Sequence, residues 1–240
     1  MITDDESRER AVRAAVRNNA AWCDAVCRAH GLPGEFGREA WTNERRTPPL
    51  YPDAVTLTAD ASAHELVARI DTRSPGCSVK DSFARLDLEP LGFEVLFEAS
   101  WIHRPAGGAS NAPPPDVSWA PLSDADALPA WETAWGDGAE PTGLFRKGLL
   151  SGDTTFLAGT DREGRIVAGG VVSRSDSVAG VSNLFALGDE EAAWAGCLAE
   201  VTRRWPDLPV VGYESGESLE AAVGQGFTPI GPLRVWLHTG

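Results

Sequence analysis

Arg165-Ile-Val-Ala-Gly-Gly-Val-Val172, a polar break at Ser173-Arg-Ser-Asp-Ser177, and Val178-Ala-Gly-Val-Ser-Asn-Leu-Phe-Ala-Leu187 form the stretch that decides the fold. Two β-rich runs across a short polar break read as an antiparallel hairpin. Downstream, Trp194, Cys197, Leu198, Val201 and Trp205 recur at helical spacing between Asp189 and Trp205. That spacing lines five apolar side chains along one stripe of an amphipathic helix. A strand at Leu208–Tyr213, a short helix at Ser218–Val223, the pair Gly226-Phe227 and a last strand follow.

Upstream, Val12, Val16, Ala20, Cys23 and Cys27 lie on one face of a helix over Ser7–His30, stopped by Gly31-Leu-Pro-Gly34. Ala54-Val-Thr-Leu-Thr58 alternates as a strand, and Ala61–Ile70 reads as a helix. A strand near Cys77–Lys80, a helical turn near Phe83–Leu86 and a strand over Phe93–His103 come next. Arg104-Pro-Ala-Gly-Gly-Ala-Ser-Asn-Ala-Pro-Pro-Pro-Asp116 has no apolar period, and its Gly-Gly and triple Pro mark a linker. The expected division is therefore an N-terminal α/β region over 1–104, a linker over 105–116 and a second domain over 117–240. In that domain, helices are expected at Asp124–Trp135 and Pro141–Leu150, with a strand at Thr154–Ala158.

Composition bounds what the chain does. At 240 residues, 42% apolar and with nine Trp, it can bury a sizeable core. A formal charge of −14 and a pI near 4.7 argue against nucleic acid, whose affinity comes from Lys and Arg on phosphates. No apolar run reaches the roughly 18 residues of a membrane span. The start Met1-Ile-Thr-Asp-Asp-Glu6 is acidic, unlike the basic start of a signal peptide. The four cysteines are scattered, and the helical pair Cys23 and Cys27 suits core packing rather than a metal. The expectation is a reduced, cytoplasmic protein with no metal, no nucleic-acid partner and no membrane span.

The order strand, strand, helix, strand, helix, Gly-Phe, strand resembles the GNAT superfamily of acyl-CoA-dependent N-acyltransferases. The residues that carry the likeness are Gly169-Gly170, Ser182-Asn183-Leu184-Phe185, and Ala221-Ala222 leading to Gly226-Phe227, within Asp116–His238. The resemblance implies an α+β fold, a mixed but mostly antiparallel sheet flanked by helices. A weak echo suggests a tandem, pseudo-duplicated pair with an abbreviated first half. Gly92-Phe93 and Ser100-Trp101-Ile102-His103 repeat as Gly226-Phe227 and Val235-Trp236-Leu237-His238, with one residue of slip. Split units of this kind leave strand edges open, so a homodimer or an exchange of strands between halves is a further expectation.

The resemblance also implies chemistry: acetyl transfer from acetyl-CoA to an amine of a small molecule or peptide. The cofactor would run along Phe185, Ala186, Leu187 and Gly188. Tyr213 and Glu214 end the fifth strand of the unit and are the catalytic candidates, with Glu214 placed to deprotonate an ammonium. Ser182, Asn183 and Trp131 are the substrate-binding candidates. Read without the resemblance, Glu214 is a strand-end acid, Tyr213 a core-edge aromatic, and Ser182 and Asn183 partners of nearby backbone.

Two positions depart from the family pattern. The family's cofactor turn reads Arg or Gln, two variable residues, Gly, one variable residue, then Gly or Ala, so that helix-start N–H groups wrap a pyrophosphate. Here Gly188 is followed by Asp189, Glu190 and Glu191. Those acids complement a helix N-terminus but repel an anion there. Four residues before Gly226, where the family often has a tyrosine acid, stands Ala222, and Ser215 stands where Asn is frequent. A second reading is therefore a catalytically degenerate GNAT-fold protein that binds a small ligand or partner. A third puts the working site in the first half, around Cys77-Ser-Val-Lys-Asp-Ser-Phe83.

Overall fold

The computed structural model describes residues 5–108, 116–150 and 152–240, so most of the expected linker, 109–115, lies outside the described residues. Along the first part of the chain run α1 (Asp5–Ala29), β1 (Glu35–Phe36), β2 (Ala40–Thr42), β3 (Ala54–Thr56), α2 (Ala63–Val67), β4 (Ser78–Asp81) and β5 (Phe93–Arg104). Then come β6 (Ser118–Pro121), α3 (Leu128–Trp135), β7 (Thr154–Thr160), β8 (Ile166–Arg174) and β9 (Ala179–Ala186). The chain continues through α4 (Glu190–Arg204), β10 (Val210–Glu214), α5 (Gly216–Gly224) and β11 (Thr228–His238).

Two compact units form, and their limits differ from the expected ones. One unit is Ile102–Pro229; the other is Ile2–Trp101 together with Ile230–Gly240. The difference comes from β11. Its Arg234, Val235, Trp236 and Leu237 pair antiparallel with Asp81, Lys80, Val79 and Ser78 of β4. The end of the chain is thus a strand of the N-terminal unit, in the order β1-β2-β3-β4-β11-β5. Trp236 is buried there with Leu88, Phe93 and Val79. Each unit carries a mixed, mostly antiparallel sheet flanked by helices.

In the N-terminal unit, α1 ends at Gly31 in the left-handed region (φ 73°), which lets Leu32 N–H donate back to Cys27 O at 2.9 Å. Cys23 and Cys27 are buried free thiols on its inner face. The turn expected at Phe83–Leu86 is shaped by Asp81, whose carboxylate accepts from Phe83 N–H and Leu86 N–H.

The C-terminal unit has the strand order β10-β9-β8-β7-β6. The β8–β9 hairpin forms as its sequence suggests, and α4 packs Trp194, Cys197, Leu198 and Val201 onto the sheet beside Val172, Val181 and Phe227. Asp189 caps α4 by accepting from Ala192 N–H at 3.1 Å, and Arg203 and Arg204 close its last turn.

The helix expected at Pro141–Leu150 shrinks to a 3-10 turn at Lys147–Leu150. Its place is taken by a loop wound around a buried carboxylate. Glu132 accepts from Thr142 N–H and Oγ1–H and from Leu144 N–H and Phe145 N–H. Burial works to raise the pKa of Glu132, but these donors outweigh it and hold the group below its usual range. Side-chain-to-backbone bonds replace the helical ladder.

The two Gly-Phe turns are built alike. Gly92 and Gly226 are both left-handed (φ 83° and 86°), and Phe93 N–H and Phe227 N–H donate five residues back, to Leu88 O and Ala222 O, each at 3.2 Å. Each unit also contains a parallel pair, β3 with β4 and β9 with β10.

At Gly169 in β8 a Cβ would lie 2.6 Å from the Phe185 ring, 2.7 Å from Trp131 Nε1 and 2.8 Å from Leu157 O. Trp131 Nε1–H already donates to that carbonyl at 2.9 Å. Gly169→Ala is expected to cost about 1–3 kcal/mol, read as a lower denaturant midpoint at unchanged slope.

Candidate active site between two diverging strands

The site begins with a short ladder. Strands β9 and β10 pair in parallel only at Ala179–Val210 and Gly180–Val211, after which both strands run on. Continuing the register sets Tyr213 at the level of Ser182 and Glu214 at the level of Asn183. Four of the residues singled out in the sequence therefore stand at matching levels on the two strand ends.

What shapes the β9 side is a bulge. Val171 pairs with Ser182 and Gly169 with Phe185, so Asn183 and Leu184 together face the single residue Gly170. Asn183 takes the left-handed conformation (φ 52°) that a bulge demands and Asn tolerates. The extra residue changes the phase of the strand. Val181 and Leu184, three apart, both pack on the α4 side, while Phe185 turns to the α3 side, 5.1 Å from Trp131.

Across the opening, Glu214 is partly buried at the end of β10. Burial, and secondarily the Glu190 carboxylate, push its pKa up to about 8. Glu190 is the first residue of α4, so the helix start turns a carboxylate towards the strand end. Glu191 reaches the other neighbour: its Oε1 lies 3.9 Å from where a Gly224 Cβ would stand on α5.

This donor set does not fit the pyrophosphate of acetyl-CoA. Asp189 already takes Ala192 N–H, Glu190 and Glu191 occupy the first turn, and no Lys or Arg lies between Leu187 and Trp194. Like charges a few Å apart oppose one another by on the order of several kcal/mol even at an effective dielectric near 20. Ala222, at the position where the family often has a tyrosine, is fully buried against the α4 core and offers no acid.

The other expected residues separate. Ala186, Leu187 and Gly188 line a cavity of about 350 Å³ with Trp119 and Ala192. Phe185 is not part of it, because the bulge sends its ring to the opposite face. Trp131 is a correction: it is fully enclosed among Phe145, Phe156 and Phe185 and has no surface to give a substrate. An apolar cavity of about 690 Å³ does lie beside α3, but Ala127, Ala130 and Ala134 form its helical wall rather than a tryptophan. Trp119 lies across the face of α4, where a Cβ on Gly196 would be 2.0 Å from its Nε1. His238 is structural, edge-on to Phe93 at 4.9 Å. Glu190 as the partner of Glu214 was not singled out from sequence. Its signal was the acidic turn itself, read there only as a cap and a repulsive site.

No family model matches the sequence, and no curated protein matches it. Among solved structures, a GCN5-related N-acetyltransferase from Kribbella flavida superposes with a TM-score of 0.62 at 13% identity, over 94% of this chain and 96% of that one. The chain has the GNAT fold. A putative acetyltransferase of the GNAT family from Novosphingobium aromaticivorans gives a TM-score of 0.57 at 14% identity, over 91% of this chain and 96% of that one. A GCN5-related N-acetyltransferase from Sphaerobacter thermophilus gives 0.53 at 12%, over 94% and 92%. The GNAT likeness thus spans more of the chain than Asp116–His238. No helix among the described residues is long and apolar enough to cross a membrane.

The raised pKa of Glu214 has a signed consequence. The unfolded chain releases this proton near 4.5, whereas the folded chain holds it to about 8. The contribution of Glu214 to stability is therefore full below about 4.5 and is lost as pH rises to about 8. Glu214→Gln, neutral throughout, is expected to match the wild-type melting temperature in acid and to exceed it increasingly as pH approaches 8. A constant difference across that window would show that Glu214 is not held protonated.

Proposed function

We propose that the protein is a GNAT-like N-acyltransferase whose C-terminal unit receives an amine, of a small molecule or a peptide, in the opening between β9 and β10. Glu214 carries this reading. A carboxyl group with a pKa near 8 is matched to an ammonium group near neutral pH, so it can take the amine's proton directly or through one water. An arriving ammonium would also offset the Glu190 charge that disfavours ionised Glu214, so the acidic opening favours a cationic acceptor. Tyr213, beside Glu214 on the same strand, is assigned to hold and return a proton at its phenol oxygen. Ser182 and Asn183, at the bulge, are assigned to orient the acceptor.

Acetyl-CoA is the donor implied by the fold, and it supplies an activated acyl group when bound. Because the first turn of α4 does not fit its pyrophosphate, the reaction requires the donor's phosphates to lie elsewhere. The same observation favours a second reading, a GNAT-fold protein that binds an amine without acyl transfer.

Free thiol released from acetyl-CoA over a panel of primary amines tests the proposal. Release is expected to rise with pH through about 8, as Glu214 deprotonates, and to fall by about 10²–10⁴ in Glu214→Gln. Equal rates in wild type and variant would remove Glu214 from the reaction. Amine binding seen by calorimetry and lost in Glu214→Gln, with no thiol released, would establish the second reading instead.

A further inference from the structure

The N-terminal unit has an opening of its own, with the reverse chemistry. Strands β3 and β4 pair in parallel only at Ala54–Val79 and Val55–Lys80. Beyond that point a side chain replaces the ladder, as Ser82 N–H donates to Thr56 Oγ1 at 2.8 Å. Ser82 O accepts from Trp101 Nε1–H, also at 2.8 Å, so the backbone of Ser82 is fixed on both sides. Its hydroxyl is not. Ser82 is fully buried, yet among the described residues its Oγ has no hydrogen-bond partner, and the buried Oγ1 of Thr58 has none either.

Ser82 and Thr58 both border one cavity of about 570 Å³. Its wall is a stripe of α1, and Val12 on that stripe meets the backbone of β11, where a Cβ on Gly231 would stand 3.3 Å from Val12 Cγ2. Arg8, Arg13 and Arg17 from this stripe and Arg85 from the turn after β4 bring four guanidinium groups to the cavity. Asp5, Glu9 and Asp60 also line it, so it keeps an excess of positive charge in a chain of formal charge −14. Arg13 is ion-paired to Glu9, and Arg8 Nε–H donates to Ile230 O at 2.7 Å. Among the described residues, the side chains of Arg17 and Arg85 have no hydrogen-bond or ion-pair partner. Leu57, Phe83, Ile230 and Pro232 supply apolar surface alongside.

Buried hydroxyls are nearly always hydrogen-bonded, because an unmet one forfeits its hydration for nothing. Two residues carrying such groups border the same cavity as two unpaired guanidinium groups, and guanidinium matches phosphate geometry by two parallel N–H bonds. We propose that this cavity binds a phosphate-bearing small organic molecule. Its phosphate is held by Arg17, Arg85 and the Ser82 and Thr58 hydroxyls, and its carbon skeleton rests on Leu57, Phe83 and Ile230. The site is independent of the amine reading of the C-terminal unit.

Calorimetric titration of inorganic pyrophosphate into the full chain tests it. Saturable binding that weakens with added salt is expected. Arg17→Gln with Arg85→Gln, both exposed positions, is expected to weaken it by about tenfold or more. Ser82→Ala is expected to weaken binding while leaving the melting temperature unchanged or higher, since the hydroxyl it removes has no partner in the fold. The variant with Asp189, Glu190 and Glu191 all changed to Gln should bind pyrophosphate as the wild type does. Absence of saturable binding, or binding insensitive to the double arginine change, would overturn the proposal. So would binding altered only by the three changes at the start of α4, which would place the anion in the C-terminal unit.

Discussion

A parallel ladder of only two residue pairs governs the C-terminal unit. Had β9 and β10 stayed paired to their ends, backbone hydrogen bonds would have filled the space where Tyr213 and Glu214 meet Ser182 and Asn183. The bulge at Asn183 lies just beyond the last of these pairs. It allows Val181 and Leu184 to anchor β9 on α4 while Phe185 joins the aromatic cluster around Trp131. One inserted residue serves packing on both faces of the sheet and leaves a polar gap between strands.

Charge then differentiates the openings of the two units. At the start of α4 Asp189 caps the helix through Ala192 N–H, and the following acids complement its dipole. The negative charge of this turn opposes an external anion and bears on Glu214. In the N-terminal unit, arginines along α1 and after β4 border the same cavity as Ser82 and Thr58, whose hydroxyls have no partner among the described residues. The same strand geometry thus carries side chains of opposite charge in the two units around the point of divergence. Sharing a fold does not fix a function.

Much of the architecture was legible because its signals are local. The β8–β9 hairpin follows from two apolar runs and a polar break, α4 from a five-residue stripe with an acidic start, and the Gly226-Phe227 turn from a glycine that must be left-handed. What escaped was set by partners distant in sequence. Pro141–Leu150 carries enough apolar residues to suggest a helix, but the carboxylate of Glu132 claims the N–H groups of Thr142, Leu144 and Phe145. Trp131 and Phe185 both belong to one buried aromatic cluster, a fate that periodicity does not separate from lining a pocket. Asn183 and Glu214 were visible as polar residues near the expected gap. The proton affinity of Glu214 was not, because it depends on burial and on Glu190. The arginine cavity is assembled from α1, the β3–α2 connection, the turn after β4 and β11, and nothing in a linear reading brings these four together.

The place of β11 between β4 and β5 has a bearing on how the chain is made. Asp81 finds its ladder partner only in Arg234, after every residue of the Ile102–Pro229 unit has left the ribosome. During synthesis β4 therefore waits with an open edge, and Leu88 and Phe93 wait for Trp236 to cover them. Vectorial synthesis would complete the later-encoded unit first and the earlier-encoded one last. For this protein the order of translation and the order of structural completion run in opposite directions, and the interval between them is when exposed strand edges are most open to pairing with another chain.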